Sequence, residues 1–294
     1  MTLTFALAFD HRNSLRRDFM RLAAQPTAEQ HSTMVEAKGI VTDALIAAAP
    51  HVSPDAPVLL IDHEYGGQFV SRAQAVGIGV AMPVEESGQA ELRFLAGGHP
   101  ERIIEACNPE YVKVLIRYNP GGNTAMNARQ RSRLRQLSDW LDGRPQRLML
   151  ELLVPPEPAQ LAAVGHDQGR FDRQTRAGLT VQAIGQIAGD GLRPALWKIE
   201  GPESLQDAAR IAEAVRSANT GAGCLVLGRG ADDAAVRRWL AIAAPTDGFT
   251  GFAVGRTIWW DALKNFAGGG DRDAAVRAVT ARYLDLVRCY RAAI

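Results

Sequence analysis

Short apolar, β-prone runs recur along this chain, separated by longer alanine-rich stretches with helical spacing. The first run, Thr2 to Phe9, stops at Asp10-His11-Arg12. Later runs cover Pro57 to Asp62, Gly77 to Met82, Tyr111 to Tyr118, Arg147 to Val154, Leu196 to Glu200, Gly223 to Leu227 and Gly251 to Val254. Helical sequence is predicted over Thr27 to Ala49, Pro100 to Ala106, from the loop at Asn119 to Leu141, and over Arg173 to Ile187, Glu203 to Ser217, Asp232 to Ile242 and Asp273 to Arg291. Strands that alternate with helices, without a linker or a break in composition, predict an α/β fold, a single (β/α)8 TIM barrel spanning residues 1–294. An open doubly wound sheet is the other candidate, but no glycine fingerprint follows the first strand.

Composition narrows the function classes. The chain is 47% hydrophobic and 22% charged, ordinary for a soluble globular protein. With 33 basic and 32 acidic residues the net charge is +1, which gives no general field for nucleic acid or a membrane surface. An anion site must therefore be local. Three cysteines, Cys107, Cys224 and Cys289, have no metal-type spacing and point to a reducing compartment. The N-terminal apolar run ends at Asp10, too early for a signal peptide, and a cytoplasmic location is expected.

Only four of the basic residues are lysines: Lys38, Lys113, Lys198 and Lys264. Two of them, Lys113 and Lys198, interrupt apolar strands. Arginine stays cationic, whereas a buried lysine can lose its proton and act as a nucleophile. Lys38 and Lys264 are expected at the surface, and Trp259-Trp260 in packing.

Barrel catalysts gather at the C-terminal ends of strands. Those ends carry Asp10 and His11, Glu64, Glu85, Lys113 and Arg117, Glu151, Lys198 and Glu200, Arg229, and Arg256. Period two places Lys198 and Glu200 on one strand face, while Glu151 lies among leucines, so both strands are predicted to carry charge into the barrel. If Lys113, Glu151 and Lys198 all point inward, they form a cluster on adjacent strands suited to Schiff-base chemistry. Lys198 would attack a ketone, and Glu151 would hold Lys113 or shuttle protons. A structural Lys–Glu–Lys network is the plainer alternative.

Gly228-Arg229-Gly230 and Gly255-Arg256 follow the seventh and eighth strands, the usual phosphate site of a barrel. Glycines admit backbone N–H groups to phosphate oxygens and a guanidinium can bind them in a fork. Asp10, His11, Glu64 and Arg117 are candidates to bind the rest of a phosphorylated small molecule. The six histidines include no ligand-spaced group, so neither a metal nor a cofactor is expected. A metal-dependent lyase and a non-catalytic sugar-phosphate binder remain the rival classes.

Several segments taken in order carry a family likeness: Phe5 to Arg12, Leu60 to Gly66, Val112-Lys113-Val114, Leu150-Glu151-Leu152, Trp197 to Glu200 and Gly251 to Thr257. They resemble class I aldolases of the tagatose-1,6-bisphosphate type. The likeness covers residues 4–265 and is stronger to the aldolase domain that bacterial inositol catabolism fuses behind 5-dehydro-2-deoxygluconokinase. The resemblance implies a barrel with Schiff-base Lys198, partners Lys113 and Glu151, and phosphate binding near Arg256. It implies a lyase cleaving 2-deoxy-5-keto-gluconate 6-phosphate to dihydroxyacetone phosphate and malonate semialdehyde, possible as a homo-oligomer. His11 stands where the tagatose enzymes carry glutamine, and Gly228-Arg229 replaces their Ser-Ala-Gly loop.

Overall fold

The computed structural model describes residues 2–22 and 25–294. Eight strands close into one barrel in chain order: β1 (Thr4–Phe9), β2 (Ala56–Ile61), β3 (Gly79–Pro83), β4 (Tyr111–Arg117), β5 (Arg147–Leu153), β6 (Leu196–Glu200), β7 (Gly223–Leu227) and β8 (Phe249–Val254). All neighbours run parallel, including the closing pair β1 and β8. This is the (β/α)8 architecture that the alternation of apolar runs predicts.

Every residue of β1, β6, β7 and β8 is buried, which is why these strands read as continuous apolar runs. Two cores share that burial. Inside the barrel, Ala6, Ala8, Val58, Leu60, Ala81, Tyr111, Met149, Leu196, Leu225 and Ala253 form a solid plug. The other strand faces pack outward against the helices, with Trp197, Trp239, Trp259 and Tyr283 among the large side chains of that layer.

The element ends depart from expectation in instructive places. β8 begins at Phe249 rather than Gly251, because a bulge against β7 takes Gly251 into the ladder opposite Leu225. Gly251 has φ 141°, and a Cβ there would overlap the Thr4 carbonyl, so a residue resembling a turn is a packing requirement of the strand. The first long helix, Ala28–Val52, outruns its predicted end at Ala49. It starts at a reciprocal capping box between Thr27 and Gln30. Pro50 falls in its last turn, where its missing N–H leaves the Ile46 carbonyl without its i−4 donor close to the helix end.

Lys38, expected at the surface, is fully buried. Its Nζ pairs with Asp62 at 2.5 Å and donates to the carbonyls of Phe9 and His11, the latter at 3.0 Å. One cation therefore ties the helix Ala28–Val52 to the ends of β1 and β2. Lys264 is exposed as expected. Among the described residues no helix is long and apolar enough to cross a membrane.

The two ends of the barrel differ. At the N-terminal ends of the strands, the C-terminal helix Arg272–Ala292 caps the seam: Tyr283 Oη donates to the Phe5 carbonyl at 2.7 Å and Tyr290 Oη to that of Phe249 at 3.0 Å. The opposite end opens into a cavity.

Candidate active site

Strand register decides which side chains meet at that cavity. Glu151 is directly opposite Lys198 across the β5–β6 ladder, and Leu115 is opposite Glu151 across β4–β5. Lys113 thus starts one layer lower and reaches upward on its flexible stem. The result is a compact ionic cluster on the plug. Glu151 Oε2 is 2.9 Å from Lys198 Nζ and 2.9 Å from Lys113 Nζ. Lys113 Nζ also bonds Asp10 Oδ2 and Glu85 Oε1, each at 2.7 Å.

Burial and charge pull in opposite directions here. Burial alone would raise the carboxyls of Asp10 and Glu151, but the positive charges of Lys113 and Lys198 outweigh it and hold both below the usual range, Asp10 well below. Burial would likewise lower Lys113; the carboxylates of Asp10, Glu151 and Glu85 reverse this and keep it cationic well above the ordinary lysine range. Glu85 is raised, burial outweighing Lys113 and Arg12. Lys113 is consequently a fixed charge that organises carboxylates.

The cavity above the cluster has a volume of about 480 Å³ and is lined by Asp10, His11, Lys113, Arg117, Glu151 and Lys198, with Gly228, Arg229, Gly255 and Arg256 on its far side. Ten of the eleven site residues inferred from sequence therefore share one wall system. Glu64 is the exception. Asp62 Oδ1 accepts from the Tyr65 N–H at 2.9 Å and starts a short helix, His63–Gly66, that carries Glu64 to an exposed position away from the cavity. The strand-end rule fails there because the chain leaves β2 as a helix.

His11 is seated against Trp259, edge to face at 5.3 Å, with Nδ1 3.8 Å from Asp10 Oδ1. Burial pushes its imidazole down to about 3, against the pull of Asp10, so the ring is neutral at ordinary pH. Trp259 packs in the core as expected and donates to the Ala8 carbonyl at 2.9 Å.

On the β7–β8 side the helix Arg256–Ala267 begins at the cavity, and no side chain caps it at Gly255. A Cβ at Gly255 would overlap the Ala8 carbonyl, so glycine lets this helix start against β1 with its N–H groups toward the cavity end. Among the described residues Arg256 has one long ion-pair contact, 3.5 Å to Asp18, and its guanidinium lies 5.8 Å from the centre of the Trp260 ring. Arg229 is less available: Asp172 holds it at 2.7 Å and Glu200 at 3.3 Å. Glu200 also accepts from the Val154 N–H at 2.9 Å and lies 3.9 Å from Arg176, so this strand-end carboxylate serves a structural network.

Two wall residues had no role in the sequence reading. Glu85 was visible as a strand-end acid, and only the fold shows its bond to Lys113. Arg12 was visible only within the Asp-His-Arg run; it is 6% exposed, and its Nη2 donates to the Glu85 carbonyl at 2.6 Å. Among the described residues, no group of three or more His, Cys, Asp or Glu is placed to hold a metal ion.

A family model described as "Uncharacterized protein conserved in bacteria (DUF2090)" matches residues 1–294. No curated protein matches the chain. Among solved structures, a fructose-bisphosphate aldolase from Plasmodium falciparum superposes with a TM-score of 0.65 at 13% identity, covering 99% of this chain and 91% of that one. A structural-genomics target from Corynebacterium glutamicum gives 0.57 at 16% identity, with 99% and 86% covered. A fructose-bisphosphate aldolase from Slackia heliotrinireducens gives 0.52 at 14% identity, with 95% and 85% covered. At such identities the likeness is one of fold.

Proposed function

The chain belongs to the DUF2090 family of bacterial proteins, and we propose that it is a Schiff-base-forming aldolase, a carbon–carbon lyase for a phosphorylated keto sugar acid. The observation that carries this reading is the shared oxygen of Glu151, 2.9 Å from both Lys198 and Lys113 at the floor of a polar cavity. Two of the barrels it superposes on are fructose-bisphosphate aldolases, which agrees with the reading at the level of fold. The sequence resemblance supplies the substrate, 2-deoxy-5-keto-gluconate 6-phosphate.

In this mechanism Lys198 Nζ passes a proton to Glu151 and attacks the C5 ketone. The carbinolamine takes a proton back on its oxygen and loses water, leaving a protonated imine. Asp10, held ionised by Lys113, accepts the C3 hydroxyl proton. The C3–C4 bond then breaks, its electron pair flows into the iminium to give an enamine, and malonate semialdehyde leaves. Protonation at C4 and hydrolysis of the imine release dihydroxyacetone phosphate and restore Lys198. The phosphate rests at the Gly228–Gly230 turn, Gly255 and Arg256, where helix N–H groups and a guanidinium favour an anion.

Borohydride reduction in the presence of dihydroxyacetone phosphate, followed by peptide mass mapping, tests the reading. A reduced adduct on Lys198 is expected, with turnover abolished in Lys198→Ala. Turnover that survives this substitution, with no adduct, overturns it.

A further inference from the structure

The cations around the cavity divide into two groups by their partners. Lys113 and Lys198 share carboxylates within the cluster, Arg229 is held by Asp172 and Glu200, and Arg256 and Arg17 both reach Asp18. Arg12 and Arg117 differ. Among the described residues, neither has a carboxylate within ion-pair distance; each gives its guanidinium to a backbone carbonyl instead. Arg12 Nη2 donates to Glu85 O at 2.6 Å and Arg117 Nη1 to Gln89 O at 2.7 Å. Both therefore grip one loop segment, Glu85 to Gln89, and both line the cavity. Arg12 is more than nine-tenths buried, with its Nε unpartnered. Glu85 acts on Arg12 only at longer range, and a buried guanidinium with no carboxylate in contact is costly unless an anion arrives to share it.

We infer that Arg12 and Arg117 form a carboxylate site, on the side of the cavity opposite the phosphate lobe, that selects substrates ending in a carboxylic acid. This rests on the aldolase reading above and deepens it. Arg117 ends β4, across the barrel from β8; β1 is the neighbour of β8, but the Arg12 side chain turns away from it to the loop after β3, where its Nη2 meets Glu85 O, whereas Gly228 and Gly255 follow β7 and β8. The chemistry favours a carboxylate over a second phosphate. The β7–β8 side has a helix N-terminus and glycines for a dianion. The Arg12–Arg117 side has planar guanidinium forks, which match a carboxylate, and shares its wall with Glu85 and Glu86, whose charges repel a dianion more than a monoanion.

The test compares two acceptors in condensation with dihydroxyacetone phosphate: 3-oxopropanoate and propanal, which has the same chain length and no charge. Wild type should prefer the acid in kcat/KM by about tenfold or more, and Arg117→Met should cut that preference by a similar factor. Arg12→Lys, which keeps the charge and loses the fork, should cut it less than Arg117→Met does. Calorimetric titration with 3-hydroxypropanoate provides a readout independent of turnover, and its affinity should fall in Arg117→Met. Equal use of the two aldehydes alongside a trapped Lys198 adduct would overturn the carboxylate site and leave the aldolase standing. Arginine-dependent binding of the acid with no Lys198 adduct would do the reverse. Faster cleavage of fructose 1,6-bisphosphate than of the keto acid monophosphate would assign the lobe to a second phosphate, also overturning the inference.

Discussion

Glu151 uses a single oxygen to meet two ammonium groups, and among the described residues it is the only one to bridge Lys113 and Lys198 directly. Removing Lys113 would leave three carboxylates facing one another in a buried space, so the lysine that does no chemistry in the proposed mechanism is the one the cluster cannot lose. His11 makes a different contribution. Its folded-state value, about 3, lies below the ordinary 6.5, so only the unfolded chain takes up a proton between these limits. The stability it lends is complete above 6.5 and is lost as pH falls toward 3. Asp10 and Glu151, also lowered, lose theirs only at lower pH, below their ordinary values of 3.8 and 4.5. Urea midpoints should therefore decline already between about pH 7 and 5, and His11→Gln should flatten that part of the curve. An unchanged slope in the variant would show that the imidazole is solvated.

At the scale of elements, the loop after β1 matters most, because it supplies Asp10, His11 and Arg12 together. Lys38 holds it from outside the barrel by bonding the carbonyls on either side of Asp10. Burial pushes this lysine below its usual range in spite of Asp62, a sign of how dry the position is. Lys38→Met fits the space but leaves Asp62 as an unpaired buried carboxylate, and a loss of about 3–5 kcal/mol is expected in equilibrium unfolding. Lys38→Met with Asp62→Asn removes both charges and should recover most of that loss. If the double variant is no better than the single one, the pair is not the source of the stability. β8 and Gly255 likewise serve the site by geometry, letting the helix Arg256–Ala267 begin against the Ala8 carbonyl.

For the whole molecule, the tyrosine clamp and the candidate site occupy opposite ends of the barrel. Tyr283 and Tyr290 clamp the C-terminal helix onto the first residues of β1 and β8, far along the strands from Lys198. Replacing each with phenylalanine should cost about 1 kcal/mol, the net worth of a typical buried hydrogen bond, in urea unfolding. The yield of borohydride adduct per folded molecule should not change. A fall in adduct yield that parallels the stability loss would mean that the two ends are coupled.

The barrel and most of the residues that line its cavity could be read from the amino acids alone, because both follow from local rules. A parallel strand buried on both faces must be an apolar run, and a charge inside such a run has to point into the barrel or be paid for by a partner. Lys113, Glu151 and Lys198 break their runs in this way, and the glycines after β7 and β8 mark close backbone approach. Glu64 and Lys38 escaped those rules: a side-chain cap turned one out to solvent, and an ion pair to the next strand end drew the other in. Partner choice was beyond local reading altogether. Lys113 is separated by 103 residues from Asp10 and by 28 from Glu85, and Lys198 by 47 from Glu151. Only barrel closure and strand register bring these groups within hydrogen-bonding distance, and only that closure sets Arg12 and Arg117 beside a cavity with, among the described residues, no carboxylate within ion-pair distance.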